Sequence, residues 1–455
     1  MVAEARQEQD EKVGMIRTCV AAVLLGAASA VAATDGPTFH RDIEPILQAR
    51  CQGCHRPSQA APMSFLSYEE VQPWAKAIKD AVLLKRMPPW PADPAFGKFS
   101  NDQRLSEREL QTLTRWADQG APAGNKADAP PPVKFEERWQ IGKPDLVLRV
   151  PKEFVIPASG QVDYQYIMME TGFAEDKWVK TAEIRPRNRQ VLHHAWANAR
   201  PARPADAARL GQFFQVDVDL LRPRDPNDPN KIVQFSASFD SEAIANFTPG
   251  GIPLRAEQGR ARLIKAGSIL SFQLHYTPTG KETTDQIEIG FVFADEPPAE
   301  RVKTVNVQNF DFSIPPGVPD HAVKARAVVK QDLKIAAMRP HMHLRGKSFE
   351  YRVLYPGGKS ETLLKVPRWD FNWQLTYYLE EPKVIPRGSI IEVAGIYDNS
   401  PNNPHNPDPQ AQVSYGEQIW DEMLGGLIDV VVAPGLESAE IFGTVVEATG
   451  TSGGA

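Results

Sequence analysis

The chain has 455 residues, too many for one compact hydrophobic core, and this length predicts about three folded units. Its 40 prolines and 31 glycines favour short strands and turns, so we expect mainly β architecture for most of the length. The net charge of −6 and the absence of basic runs exclude the usual electrostatic surface of a nucleic-acid-binding protein. Small molecules and redox proteins are the partners that we expect.

The first 34 residues have the features of a secretion signal. Arg17 precedes an apolar run, and small residues near position 32 offer a cleavage site. The acidic stretch ahead of Arg17 is atypical of such signals, so we place the natural start at Met15. Cys19 lies before the apolar run, which disfavours a lipoprotein anchor. We therefore expect a periplasmic or secreted protein without a stable membrane anchor.

Cys51 and Cys54 are the remaining cysteines, and His55 follows them directly. Cys-x-x-Cys-His is the attachment signature of a c-type haem. A disulfide is one alternative. A thioredoxin-like redox motif is another, but the flanking βαβ pattern that it needs is missing from the sequence. The motif predicts one covalently bound haem c.

Apolar residues recur at helical spacing on both sides of this motif, and Ser106 with Glu109 fits a capping box that starts a further helix. With Cys-x-x-Cys-His after the first helix, residues 35–124 resemble a small class I cytochrome c domain. The resemblance implies an all-α fold with His55 as the proximal iron ligand. It also implies an axial methionine, for which Met87 before two prolines is our choice, Met63 is the rival, and core filling is the alternative for either.

A proline-rich linker is expected over residues 125–144, and beyond it the apolar pattern changes from helical spacing to alternation. Alternating stretches at 146–150, 269–276 and 287–293 predict strands with one buried face. Breaks rich in proline, glycine and aspartate separate them, as in sandwiches or jelly rolls. A second boundary is expected near 296–303, and residues 447–455 read as a disordered tail.

Five of the nine histidines fall into three groups within this β region, namely His193 with His194, His275, and His341 with His343. Ligands far apart in sequence are what a metal site between sandwich strands requires. His341 and His343 would share one strand face, whereas the adjacent His193 and His194 need a bulge, or different ring nitrogens facing the metal, to bind one metal together. Solvated histidines on a strand face are the alternative for an isolated His-x-His pair.

At these residues the sequence resembles the copper type II, ascorbate-dependent monooxygenases, the family of peptidylglycine α-hydroxylating monooxygenase and dopamine β-monooxygenase. The resemblance covers about residues 145–446 and rests on motifs in the family's order. It implies a three-histidine copper site at His193, His194 and His275. It implies a second copper site at His341, His343 and Met423, on two β-sandwich domains, 145–302 and 303–446.

The resemblance further implies that two copper ions activate dioxygen and that a C–H bond of a small organic substrate is hydroxylated. The fused haem would then supply electrons that it receives from an external donor protein or reductant. Arg339 matches the arginine that holds the substrate carboxylate in peptide-hydroxylating members, but Gly425 and Leu427 replace its helpers. The alternative function is a non-catalytic haem and copper protein that transfers electrons or binds copper.

Overall fold

A computed structural model describes residues 36–444, apart from residues 58, 60, 136–138, 217–223, 226–227, 233–234, 237–240 and 256–258. The expected signal segment, with Met15, and the expected tail at 447–455 lie outside the described residues. Within the described residues, no helix is both long and apolar enough to cross a membrane.

The helices are short and most of them precede the β region. They are Phe39–Ile43, Glu44–Arg50, Tyr68–Val71, Gln72–Trp74, Ala75–Leu83, Glu107–Asp118, Lys126–Asp128, Pro204–Asp206 and Ser438–Ile441. The predicted capping box is confirmed, because Ser106 Oγ accepts from the Glu109 backbone N–H and the Glu109 carboxylate accepts from the Ser106 N–H. Leu113 and Trp116 of that helix are buried.

Fifteen strands lie before residue 295 in the described chain. They are β1 Leu146–Arg149, β2 Phe154–Ile156, β3 Gln165–Glu170, β4 Lys177–Pro186, β5 Leu192–Pro201, β6 Phe213–Phe214, β7 Arg224–Asp225, β8 Asp228–Ile232, β9 Phe235–Ser236, β10 Glu242–Phe247, β11 Leu254–Arg255, β12 Arg260–Ile264, β13 Ser268–Tyr276, β14 Thr283–Asp285 and β15 Ile287–Phe293. The predicted alternating stretches correspond to β1, β13 and β15.

Eleven strands follow. They are β16 Glu300–Asn309, β17 Ser313–Ile314, β18 His321–Val329, β19 Leu333–His341, β20 Gly346–Leu354, β21 Ser360–Val366, β22 Tyr377–Ile385, β23 Ile390–Tyr397, β24 Val413–Ser414, β25 Leu424–Val432 and β26 Phe442–Thr444.

One long sheet runs through both halves of the β region. Its ten strands include the path β1-β15-β4-β12-β16-β25-β19-β22. The five-stranded sheet β10-β5-β13-β3-β6 shares a hydrophobic core with its first half, and we call this pair of layers the first sandwich. The five-stranded sheet β21-β20-β23-β18-β26 shares a second core with the other half, which forms the second sandwich.

The two sandwiches are joined where β12 pairs in parallel with β16, at Arg260 opposite Glu300 and Ala261 opposite Arg301. The expected boundary after residue 302 lies inside β16. Backbone hydrogen bonds therefore join the two halves, and one continuous sheet contributes a layer to both sandwiches.

The predicted fold class, a small all-α cytochrome c domain followed by two β-sandwich domains, is wrong. The described chain is mostly β, and its few short helices make no evident all-α domain. Residues 88–101 are largely non-helical and bury Trp90, Ala92 and Phe99 in the core of the second sandwich. Helical periodicity identified local turns correctly, but it carried no information on this long-range packing.

Backbone contacts fix the same segment to the second sandwich. The Asp93 N–H donates to Lys365 O at 2.8 Å, and the Ser100 N–H donates to Tyr378 O at 2.9 Å. Phe99 also forms a β-bridge with Leu379. Residues 88–101 are therefore part of the structure of the second sandwich.

Replacing Phe99 by alanine should lower the free energy of unfolding by about 3–5 kcal/mol, because it removes a buried ring from that core. Chemical denaturation followed by tryptophan fluorescence measures this loss. Leu84→Ala is the control, since Leu84 is 56% exposed and its substitution should change stability by less than about 0.5 kcal/mol. Leu84 lies in the helical part of the chain, by which we mean the helices within residues 39–118 and their connections, apart from residues 88–101. An equally small effect of Phe99→Ala would contradict the packing described.

Candidate metal centre

Two neighbouring strands carry the first group of histidines. His194 on β5 lies opposite His275 on β13, and the register then shifts so that Tyr276 lies opposite Leu192. This β-bulge leaves His193 as the extra residue of its strand and turns it towards its neighbour. We call His193, His194 and His275 the first His cluster.

The three imidazoles of the first His cluster face one another. One ring nitrogen from each lies within 4.8 Å of the others, and the His193–His275 and His194–His275 ring centroids are 5.0 and 5.1 Å apart. His193 Nε2, His194 Nε2 and His275 Nδ1 are buried without a hydrogen-bond partner. His193 Nδ1 and His194 Nδ1 lie 3.3 Å apart. One nitrogen of each ring in this cluster therefore faces the others, as the ligands of a bound cation do.

Burial keeps these imidazoles neutral. Desolvation lowers the pKa of His193, and desolvation followed by repulsion from the neighbouring histidines lowers the pKa of His194 well below its usual value. The pKa of His275 falls to about 3, through desolvation and then His193. A neutral imidazole offers the nitrogen lone pair that a metal ligand needs.

His341 and His343 form the second His cluster, at the end of β19, with ring centroids 5.2 Å apart. Both rings are oriented through Nδ1, because His341 Nδ1 is 2.6 Å from Gln374 Oε1 and His343 Nδ1 is 3.1 Å from the Asp421 carbonyl oxygen. An oxygen partner on Nδ1 fixes the tautomer with its lone pair on Nε2. His343 Nε2 is buried without a partner, as a ligand nitrogen would be.

Met423 precedes β25, the strand that pairs with the one carrying His341. His341 lies opposite Gly425, two residues after Met423. The Met423 side chain is buried and packs with Phe310 and Tyr415. Met342 instead packs in the core of the second sandwich, as its strand position predicts.

Glu422 connects the segment that follows β19 to the segment that precedes β25. Its carboxylate accepts the His343 N–H at 2.9 Å and the Arg345 N–H at 2.6 Å, and it is fully buried. The segment with His343 is thus tied to the segment with Met423. Nothing in the sequence pattern singled out Glu422 for this role.

Two aromatic rings lie between the clusters. The Tyr164 ring is 4.8 Å from that of His275 and 6.3 Å from that of His343, and its buried hydroxyl has no hydrogen-bond partner. The Phe371 ring stacks on His193 at 5.0 Å and lies 6.3 Å from His343. The two clusters therefore contact the same two aromatic rings.

The segment Trp369–Gln374, between β21 and β22, contacts both clusters, and we call it the bridging loop. Besides the contacts of Phe371 and Gln374, Trp369 Nε1 donates to His343 O at 3.2 Å. Sequence reasoning missed this loop. Three aromatic residues in five positions, at 369–373, were the available signal.

Arg339 is enclosed in protein and is only 2% exposed. Its guanidinium lies 4.3 Å from the Trp196 ring centroid and donates to Thr376 Oγ1 at 3.2 Å, while its Nε has no partner. These contacts connect the two sandwiches. Substrate binding by Arg339 stays a prediction.

The Cys-x-x-Cys-His motif follows helix Glu44–Arg50, and both of its thiols are free. Cys51 packs on the helical core, whereas Cys54 lines a cavity of about 460 Å³ with Arg50, Arg56 and Arg189 in its wall. His55 stacks on Phe65 at 4.2 Å, and its Nδ1 is buried and unpartnered.

The chemistry of a covalently attached haem fits two free thiols and an imidazole with an unpartnered nitrogen. Its anionic propionates would suit the basic side chains in the wall of the cavity that Cys54 lines. The axial-ligand choice between Met87 and Met63 stays open. Met87 is partly exposed before a cis peptide bond to Pro88, while Met63 packs against the hydrophobic cluster formed by the helices of residues 39–118.

No protein-family model and no curated protein matches this sequence. Among solved structures, the VP2 subviral particle of infectious bursal disease virus matches with a TM-score of 0.20 and 11% identity, over 65% of this chain and 63% of that chain, which is less than two thirds of its length. T=1 particles derived from infectious bursal virus match with a TM-score of 0.18 and 10% identity, over 66% and 72% of the two chains. Likeness this low carries no argument about fold or function.

The metal-free protein should lose stability as the pH falls from 7 to 5. The folded-state pKa values of the cluster histidines lie below the ordinary 6.5, so the unfolded chain binds more protons in this range and stability rises with pH. The loss should be about 2 kcal/mol for each histidine that stays neutral in the folded state. Urea denaturation after metal chelation measures it, and a flat profile would contradict the burial of the rings.

Proposed function

We propose that this protein is a copper-dependent monooxygenase, related to the copper type II, ascorbate-dependent family, that hydroxylates a C–H bond of a small organic molecule. The observation that carries the proposal is the pair of neighbouring His clusters, the first with three converging rings and the second with both rings oriented through Nδ1. Three imidazoles suit a copper ion that changes oxidation state, and a thioether from Met423 would favour Cu(I) at the second cluster.

When bound, two copper ions would supply the two electrons for the activation of dioxygen. The protein's own residues orient the ligands and exclude water. Gln374 orients His341, and the Asp421 carbonyl and Glu422 hold His343. The Tyr164 and Phe371 rings lie between the clusters. Rigid, second-layer support of this kind is what metal ligands require.

A place for the organic substrate lies outside the bridging loop. A cavity of about 450 Å³ is lined by Leu344, Trp369, Phe371 and His405 together with several polar and charged side chains, and Leu344 directly follows His343 in the chain. Aromatic rings beside polar groups suit a small organic molecule that also carries polar groups. Because Arg339 is enclosed elsewhere, we propose a substrate that does not depend on a carboxylate clamp.

We also propose that Cys51 and Cys54 attach a haem, with His55 as an axial ligand, and that it delivers electrons to the coppers. This proposal concerns the cofactor and does not need a separate cytochrome c domain. An external protein or reductant would reduce the haem, in a periplasmic or secreted protein.

The decisive experiment is a metal count followed by oxygen uptake with product detection by mass spectrometry across small organic substrates. We expect two coppers and one haem per chain, and one copper fewer in His275→Ala. Met423→Ile should abolish hydroxylation while keeping the haem spectrum. Hydroxylation that survives this substitution would count strongly against the proposal.

A second candidate is a non-catalytic haem and copper electron-transfer protein. The enclosed position of Arg339, stacked on Trp196, favours it, because the guanidinium has little surface to offer a substrate. Metal binding and redox cycling without any hydroxylated product would select this candidate.

Gln374→Leu should weaken copper binding at the second His cluster by about 10- to 100-fold, because His341 loses the oxygen that orients its ring. Competitive titration with a copper chelator measures the affinity, and the first His cluster serves as the internal reference. Gln412→Leu, an exposed glutamine bonded to Ser313, is the matched control. Equal affinities in Gln374→Leu and the wild type would show that this hydrogen bond does not position the ligand.

A further inference from the structure

The bridging loop approaches the Cys-x-x-Cys-His motif as well as the histidines. Cys54 Sγ and Trp373 Cζ3 lie 3.7 and 3.8 Å from one common point, which is where a Cβ on Gly250 would be. Because residue 250 is a glycine with φ +71°, no side chain of its own fills this gap between the thiol and the indole. Arg368, next to the loop, also donates to Leu84 O at 3.4 Å.

The same loop touches the first His cluster two residues away from Trp373. The Phe371 ring stacks on His193 at 5.0 Å with an interplanar angle of 15°. The connection therefore runs through covalent bonds from Trp373 by way of Asn372 to Phe371, and from Phe371 to His193 through the stacked rings.

We propose that Trp373, Asn372 and Phe371 form the electron path from the haem motif to the first His cluster. The inference rests on the proposed function and adds a route to it. One electron leaves ferrous haem at Cys54 and reduces Cu(II) at His193 to Cu(I), so the iron becomes ferric. No proton moves, no residue of the loop is itself oxidised, and an external one-electron reductant returns the haem to the ferrous state.

Packing holds Trp373 in place. Its side chain is partly buried against the core of the second sandwich, and its backbone N–H donates to Asp370 O at 3.0 Å in a tight turn. Residues 88–101, anchored in that same core, hold the helical part against the β region. Both ends of the path are thus fixed to one packed body, and no domain movement is needed to bring them together.

The test is stopped-flow oxidation of the haem in the full-length protein, loaded with Cu(II) at both clusters and reduced at the haem, without substrate. Trp373→Leu should slow haem oxidation by about tenfold or more, which corresponds to about 1.4 kcal/mol in activation free energy. Trp373→Phe should recover part of the rate because it restores an aromatic ring. Trp74→Leu is the matched control, since Trp74 lies in the helical part and is 41% exposed.

Copper content, haem content and the haem reduction potential are measured for each variant. A wild-type rate in Trp373→Leu with both cofactors present would overturn the path. If Trp373→Leu loses a cofactor, Trp373→Phe becomes decisive, and an unchanged rate there would overturn it equally. Hydroxylation driven by a small reductant that reduces copper directly tests the proposed function separately, and it should persist in Trp373→Leu.

Discussion

The arrangement of the candidate site depends on charged side chains that are buried where the two sandwiches meet. Arg262 of β12 donates to Asp429 of β25 at 2.5 Å and to Thr304 of β16 at 2.8 Å, and both charged groups are almost fully buried. Breaking such a pair costs about 3–5 kcal/mol, because an uncompensated charge would be left inside the protein. The two halves are therefore held in one relative position, and strands β5 and β13 can face β19 and β25 across a fixed distance.

That fixed junction explains why imidazoles can be buried there without partners. An unpartnered buried polar atom costs about 1–3 kcal/mol, so an apo site with several of them stores unfavourable free energy that a bound cation can relieve. The cost is tolerable because the rings are neutral, as burial lowers the pKa of each cluster histidine. The Tyr164 hydroxyl, whose ring lies beside His275 and His343, is one more buried donor without a partner.

Sequence reasoning predicted local elements of the structure better than its long-range contacts. Local rules sufficed for the capping box at Ser106 and for the strands with His275 and His341, because periodicity and short motifs record local structure. The bulge needed by His193 and His194 could be stated in advance for the same reason. Glu422, Tyr164 and the bridging loop were missed, since their contacts join segments far apart in sequence. The all-α domain was wrong because residues 88–101 carry no pattern that reveals the core into which they pack.

The corrected fold changes how electron supply should be understood. A separate cytochrome domain on a proline-rich linker would meet the histidines only during transient docking, and linker length would govern the rate. Here Trp90 and Phe99 lie in the same hydrophobic core as the strands that follow, and Trp373 beside Cys54 packs against that core. The distance between the thiols and the first His cluster is then set by side-chain packing. Substitutions of Trp90 or Phe99, neither of which is a proposed metal ligand, should therefore affect electron transfer as well as stability.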